Sequence, residues 1–465
     1  MNDALVQFGI KTADDRLIKG VHEDSRKVGE DWIFIALPGK GETFVFEALE
    51  KGAIVLWERE EQQKNVYHVK DARFAMYRLI SLCYPDISDD VLCIAVTGTN
   101  GKSSTAYFLY QCLSCRYSCL WIGTHHVLSD TFQEDSANTT PSLCELTRLI
   151  EKAKKRDVHC VVMEVSSHAI DQKRIDAIRY DYIVYTNITS DHLDYHHCEA
   201  HYRYTKYKLR KYLKKNGRII VNHDDPHLRS LYPLIQGQCV TYGRNMAHFH
   251  LHDIEERRSG LCFAVDDQMY HTHIYGAFQA MNLTAVIAVC SLIKMEKNQI
   301  RQCIEKLLPL SGRMQKIWQD PLVFIDYAHT ASACMALFNT VRRLPHDKII
   351  TVIGCGGERD EQKRSVMGRL ASEASTLCIF TSDNPRSESL HRIFDMMRQE
   401  AGSNIMFFED RAHAVKFAVK NSGNNDIILI VGKGDEQEQL IAGRRIPFND
   451  AEVLCRALKE REELV

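Results

Sequence analysis

The chain has 465 residues, 45% apolar and 26% charged, with a formal net charge of −2. That length exceeds what one hydrophobic core organises, so two or three domains are expected. The near-neutral charge excludes an electrostatic case for nucleic acid or an anionic membrane as main partner. The 16 cysteines, without a secretory pattern, read as reduced thiols rather than a disulfide framework. The first residues, MNDALVQFGIKTADDRL, have no basic n-region, and no apolar run approaches a membrane span. A cytoplasmic protein is expected.

Residues 1–87 mix short strands, WIFIAL at 32–37 and AIVLWE at 53–58, with helical stretches. From Val91 the apolar strands CIAV (93–96), CVVMEV (160–165) and YIVYTN (182–187) alternate with amphipathic stretches, the pattern of a mostly parallel α/β sheet. The segment 245–275 alternates with period two and predicts antiparallel strands, with His248, His250, His252, His271 and His273 on one exposed face. A third series follows: VFIDYAH (323–329), KIITVIGCGG (348–357), TLCIFTSDNP (376–385) and DIILIVGKG (426–434). Each ends in Gly, Asp or His, so functional residues are expected at the carboxyl ends of strands, where open α/β sheets bind ligands. Domain boundaries are expected near 88 and 311, giving 1–87, 88–310 and 311–465.

AVTGTNGKSST at 95–105 places a glycine-rich loop between a strand and a helix. Gly98 and Gly101 let the backbone approach an anion, Lys102 adds a point charge, and the Ser103 hydroxyl can ligate Mg²⁺. The full Walker spacing is not met, because Val96 stands at its first glycine position. MEVSSHAIDQKR (163–174) offers Glu164 as a hard oxygen ligand with His168 beside it, although such a pair is also common on ordinary surfaces. Asp191, His192, Asp194 and His196 crowd a similar strand-end loop. HHC at 196–198 lacks a second pair of soft ligands for zinc. Cys112, Cys115 and Cys119 predict a buried helix face.

Taken in order, these stretches resemble the ATP-dependent Mur ligases of peptidoglycan synthesis, above all the type that adds meso-diaminopimelate. The resemblance runs through EDSRKV (23–28), GTNGKSS, NTTPS (138–142), MEVSSH, TNITSDHLDYH, YRYTK (202–206), VNHDD (221–225), GAFQAMN (276–282), SGRMQ (311–315), IDYAHT (325–330), GCGGERDEQKR (354–364), TSDNPRSE (381–388) and VGKGDE (431–436). It implies three domains: one binding the uridine nucleotide, a central P-loop ATPase, and a C-terminal Rossmann-like domain for the amino acid. It also implies an ADP-forming amide ligase acting through an acyl phosphate on UDP-N-acetylmuramoyl-L-Ala-D-Glu, as a monomer.

On this likeness Gly98, Thr99, Asn100, Gly101, Lys102, Ser103 and Ser104 hold the phosphates, with Asn282 at adenine, Arg313 at phosphate and Asp326 at ribose. Ser103, Glu164 and His168 match the Mg²⁺ groups, and Lys206 the lysine that the family carbamylates with CO₂. Lys102, Glu164, His168 and Lys206 are thus the expected catalytic set. Ser25, Asn138, Thr139, Thr140, Ser166, Gln172 and Arg174 match the nucleotide-sugar contacts. Arg359, Asp383, Asn384, Pro385, Arg386, Gly432 and Glu436 match those to the amino acid. In the family the Arg of DNPR accompanies meso-diaminopimelate, whose extra carboxylate it can pair. The chain departs from the family at Asp435, where GKGHE reads GKGDE, and at DYAHTA, KRS, GRMQ and FQxxN. A Mur-type ligase for L-lysine or another amine, and a catalytically silent binding paralogue, are the alternatives.

Overall fold

A computed structural model describes residues 18–85, 87–124, 126–189 and 191–463, apart from the side chains of Lys40 and Asp194. The opening MNDALVQFGIKTADDRL thus lies outside the described residues. The chain divides into two compact units. One runs to Tyr242 and includes Met246–His248 and Ala288–Ile293; the other takes Gly243–Asn245, Phe249–Ile287 and Lys294–Val465.

The first unit begins with a parallel sheet of four short strands in order: β1 (Gly20–His22), β2 (Trp32–Ile35), β3 (Ile54–Trp57) and β4 (Val66–His68). Its two faces are both apolar. Ile33, Ile35 and Leu56 pack with the helix Ala72–Cys83 on one side, and Phe34, Val55 and Trp57 with Val45 and Ala48 on the other. Leu143 and Cys144, at the start of the helix Leu143–Lys154, join the first of these clusters and tie the small sheet to the next layer.

The larger sheet of this unit holds β5 (Leu92–Thr97), β6 (Cys119–Ile122), β7 (His126–Ser129), β8 (Gln133–Asp135), β9 (Cys160–Glu164), β10 (Tyr180–Tyr185), β11 (Leu213–Asn222) and β12 (Cys239–Gly243). Their spatial order is β12-β11-β10-β5-β9-β6-β7-β8. The run from β12 to β6 is parallel, and β7 and β8 close the edge antiparallel. β5 and β9 lie side by side with Val96 opposite Glu164, so the phosphate loop and the carboxylate leave the sheet at the same edge.

In the second unit β13 (Phe249–Arg257), β14 (Gly260–Val265) and β15 (Gln268–Thr272) pair antiparallel. His248, His250, His271 and His273 are exposed and His252 is half-buried. β16 (Gln315–Trp318), β17 (Leu322–Asp326), β18 (Ile349–Ile353), β19 (Leu377–Thr381), β20 (Ile405–Phe408) and β21 (Ile427–Val431) form a sheet of order β16-β17-β21-β18-β19-β20, parallel except for β16. Alternate residues feed opposite cores: Leu322, Phe324, Ile427 and Leu429 one face, Val323, Ile325, Ile428 and Ile430 the other. Helices cover both, as continuous apolar parallel strands require. A hairpin of β22 (Glu438–Ile441) and β23 (Arg444–Pro447) follows β21.

The cysteine expectation needs correction. Cys112 is buried on the helix Lys102–Ser114, but Cys115 is exposed beyond its end and Cys119 belongs to β6. The chain turns at Cys115–Arg116 and bends at Tyr117, which breaks the helical spacing.

Candidate active site

The phosphate loop leaves β5 and enters the helix Lys102–Ser114 through Gly101. A Cβ on Gly98 would stand 1.9 Å from Thr186 Oγ1, so only glycine lets the loop lie against the end of β10. Thr186 Oγ1 donates to the Asn100 carbonyl at 2.6 Å, and Asn187 Oδ1 accepts from the Asn100 N–H at 2.9 Å. These two residues, which the sequence singled out only as part of a larger motif, set the loop's curvature.

Lys102 Nζ donates to the carbonyls of Gly98 (2.9 Å) and Thr99 (2.7 Å). Lys206 Nζ donates to the same Gly98 carbonyl at 2.8 Å from a fully buried position, with the Tyr202 ring 4.9 Å away. Burial pushes the Lys206 amine well below the usual lysine range, the nearby Lys102 charge adds to that, and Asp191 opposes it. Thr99 Oγ1 lies 3.1 Å from the Tyr202 hydroxyl, and Ser104 is buried in the first helical turn.

Ser103 Oγ donates to Glu164 Oε2 at 2.6 Å. Thr124 reaches the same fully buried carboxylate, its N–H 3.0 Å from Oε1. A Cβ on Gly123 would lie 2.5 Å from Oε1, so the bend after β6 is a second place where glycine is required. Neither Gly123 nor Thr124 was picked out from sequence; a Gly-Thr closing an apolar strand was the available signal. A hydroxyl and a carboxylate oxygen converge here beside the phosphate loop, a hard-oxygen donor set that fits Mg²⁺. His168 is half-buried with its ring 4.2 Å from Tyr195 and 4.9 Å from His192. His196 is buried, with Nε2 2.9 Å from Ser167 Oγ; burial, aided by the neighbouring histidines, lowers its pKa to about 4. The Asp194 side chain lies outside the described residues.

The hydroxyl network continues from the carboxylate. Thr124 Oγ1 donates to Thr139 Oγ1 at 3.0 Å. Thr140 Oγ1 donates to the Glu164 carbonyl at 2.8 Å and accepts from the Ser166 N–H at 3.0 Å. Arg174 donates to the Thr140 carbonyl at 2.9 Å and, through Nε and Nη2, to Gln172 Oε1 at 3.0 and 2.6 Å. Asn138 is exposed just before these threonines. Ser25 starts a 3₁₀ turn capped by Asp24 and donates to Glu47 at 3.0 Å, while Lys27 ties this turn to Glu145 at 2.7 Å.

The remaining site residues belong to the second unit. Asn282 is buried and donates to Gln279 at 2.8 Å. Asp326, at the end of β17, accepts the N–H groups of Met314 (2.6 Å) and Ala328 (2.7 Å). Desolvation raises its pKa, against the pull of Arg313. The Arg313 guanidinium lies 4.6 Å from the Tyr327 ring centre.

At the carboxyl ends of β17, β18, β19 and β21 a cavity of about 530 Å³ is lined by Arg359, Lys363 and Arg386 together with Asp360, Asp383 and Glu436. Asn384 and Gly432 also line it, while Pro385 is buried behind. Burial raises the pKa of Asp383, while Arg411 and Lys433 oppose that rise. Arg386 has φ +54°, a conformation costly for a non-glycine residue, and its backbone is pinned by the hairpin: its N–H donates to the Leu440 carbonyl at 2.9 Å and its carbonyl accepts from Ala442 at 2.6 Å. Beneath the cavity, Arg411 Nε and Nη2 each donate to Asp450 at 2.8 Å, and the guanidinium also reaches the carbonyls of Ser382 (3.4 Å) and Val431 (3.1 Å). Arg411 and Asp450 were not anticipated, and Lys433 stood unremarked inside VGKGDE, since their contacts depend on which strands end beside each other.

The first unit offers a glycine-rich strand-to-helix loop hydrogen-bonded to a buried carboxylate, and the second a cavity of mixed charge, each in keeping with a nucleotide-dependent ligase that joins an acid to an amine. Residues 96–290 match the Mur ligase middle domain and residues 312–434 the Mur ligase glutamate ligase domain. The UDP-N-acetylmuramoyl-L-alanyl-D-glutamate–2,6-diaminopimelate ligase of Halalkalibacterium halodurans is 33% identical over 461 residues, covering 96% of this chain and 95% of that one. A solved structure of a ligase of that name has a TM-score of 0.71 at 29% identity, covering 97% of this chain and 98% of the other. MurF ligase from Thermotoga maritima, solved in complex with ADP, shares the fold with a TM-score of 0.68 at 18% identity, covering 97% and 100%. The chain belongs to the Mur ligase family. Among the described residues, no helix is long and apolar enough to cross a membrane.

Proposed function

We propose that the protein joins meso-diaminopimelate to the D-Glu side-chain carboxyl of UDP-N-acetylmuramoyl-L-Ala-D-Glu, converting ATP to ADP and phosphate. A carboxylate resists attack by an amine because its oxygen is a poor leaving group. Transfer of the γ-phosphoryl group from ATP to that oxygen gives an acyl phosphate; the amine then attacks the carbonyl carbon, loses a proton, and expels phosphate. Lys102 and Arg313 offset the negative charge of the phosphates. Mg²⁺ held by Ser103, Glu164, His168 and a carbamylated Lys206 would screen the charge of the two anions that must meet. Lys206 suits carbamylation by CO₂, because its buried amine is held towards the neutral, nucleophilic form. Ser25, Asn138, Thr139, Thr140, Ser166, Gln172 and Arg174 hold the uridine-linked acceptor. We assign these tasks to domains 1–87, 88–310 and 311–465 of a cytoplasmic, monomeric enzyme of cell-wall synthesis.

The observation that carries the choice of amine is the cavity in which three cationic and three carboxylate side chains are mixed. Such a lining suits a molecule with two ammonium and two carboxylate groups, and Arg386 supplies a planar fork for the additional carboxylate. L-lysine is the second reading, favoured by the extra carboxylate of Asp435 next to Glu436 in the chain. Phosphate release, measured with ATP, Mg²⁺ and the uridine-linked dipeptide across a panel of amines, should be fastest with meso-diaminopimelate. Faster release with L-lysine overturns the choice of amine; production of AMP and pyrophosphate overturns the acyl-phosphate route.

A further inference from the structure

Lys433 is fully buried behind the cavity, and its ammonium makes three hydrogen bonds. It donates to Glu436 Oε2 (2.6 Å), to the Glu438 carbonyl (2.7 Å) and to Asn384 Oδ1 (3.2 Å). These match its three N–H groups, leaving no donor for a ligand. Asn384 Nδ2 donates to the same Glu436 Oε2 at 2.8 Å, and the Leu440 N–H fixes the amide orientation by donating to Asn384 Oδ1 at 3.0 Å. Both donors to Glu436 therefore fall on one oxygen, and its other oxygen is the one available to the cavity that Glu436 lines.

This arrangement has an electrostatic sign. The cavity wall carries three cations and three carboxylates, and Lys433, adjoining it, adds a positive charge 2.6 Å from Glu436 and, more loosely, 3.8 Å from Asp383. An amine whose far end carries both an ammonium and a carboxylate is neutral there and meets no net repulsion. One that ends in a bare ammonium meets a carboxylate already half compensated from behind.

We propose that Lys433 is the positioning residue that sets amino-acid preference, by neutralising Glu436 from the protein side so that a zwitterionic tip is favoured over a cationic one. The inference rests on the assignment of this cavity to the incoming amino acid. It goes beyond that assignment by giving the discriminating charge to a residue that never touches the substrate.

The test is the ratio of kcat/KM for L-lysine to that for meso-diaminopimelate, with KM for ATP measured alongside. Lys433→Met should raise the ratio about ten- to a hundredfold without moving KM for ATP, since one unit charge a few ångströms away is removed. Lys433→Gln retains two donors without the charge and should shift the ratio the same way, so the test survives if the methionine variant fails to fold. Glu436→Gln should lower it. A ratio unchanged in the folded lysine variants, with both amines losing equally, overturns the inference, as does a shift towards meso-diaminopimelate. If the unsubstituted protein prefers L-lysine, the proposed function falls, and the direction of the Lys433 shift still decides the inference separately.

Discussion

Asp450→Ala should damage the second unit more than any surface change of similar size. The Arg411 side chain is 0% exposed and that of Asp450 1%, and the two meet through paired bonds of 2.8 Å. Burial works against the Arg411 charge, and Asp450 outweighs it, so the guanidinium stays above its usual pKa. Removing the carboxylate leaves that charge in the interior with the carbonyls of Ser382 and Val431 as its hydrogen-bond partners and Asp383 and Glu436 as more distant acids. Stranding one member of a buried pair costs about 3–5 kcal/mol. The two carbonyls retain some compensation, which places the expected loss near ~3 kcal/mol, or about a hundredfold in the opening equilibrium. Asp450→Asn, which keeps one acceptor, should lose less. Hydrogen exchange at Leu377–Thr381 and Ile427–Val431 reads this directly, because both strands end at Arg411's partners. The same variant should raise KM for the amino acid, since Ser382 and Val431 immediately precede Asp383 and Gly432. Protection within ~1 kcal/mol of the unsubstituted protein would refute the reasoning, showing that the guanidinium finds water or another acid.

Four further outcomes are expected. Lys102→Ala should lower kcat about a thousandfold or more while leaving the circular dichroism spectrum unchanged; near-normal turnover removes the phosphate assignment. Arg386→Ala should raise KM for meso-diaminopimelate about ten- to a hundredfold, as expected for a lost charge-assisted fork, and should leave KM for ATP within about twofold. Depleting CO₂ should slow turnover and bicarbonate should restore it, with the response absent in Lys206→Ala. Glu388, paired with the buried Arg364 at 2.6 and 2.8 Å, has its pKa lowered from 4.5 to about 2 by those hydrogen bonds. Its stabilisation is complete above pH 4.5 and is lost as pH falls from 4.5 towards about 2. Acid-unfolding curves should show that limb, and Glu388→Gln should remove it.

The strand ends were legible because fully covered parallel strands are continuous apolar runs, and the residue where the run stops is the one delivered to the sheet's edge. Gly98 and Glu164 stood out on that principle, and β5 and β9 do end beside them, whereas Asp326 and Gly432, also at strand ends, were singled out individually only through the family resemblance. Cys119 was misplaced because spacing alone carries a helix through a turn that has no Gly or Pro. Arg411 and Asp450 left no local signal, and Lys433 stood in VGKGDE with nothing in the string to mark its burial. Lysine, arginine and aspartate look like surface residues in a string, and only the adjacency of β17, β18, β19 and β21 converts them into buried partners. Thr124 was hidden for a related reason: β6 and β9 are neighbours in space but more than thirty residues apart in the chain.

Hydrogen bonds run from Ser103 through Glu164 and Thr124 to Thr139, so the residues proposed to hold the nucleotide and those proposed to hold the sugar-linked acid share one network in the first unit. On that proposal, a substitution at Thr139 that repels an inhibitor resembling the sugar nucleotide also removes the acceptor of the Thr124 hydroxyl and redirects that donor beside Glu164, so escape from such a compound disturbs the residues proposed for turnover.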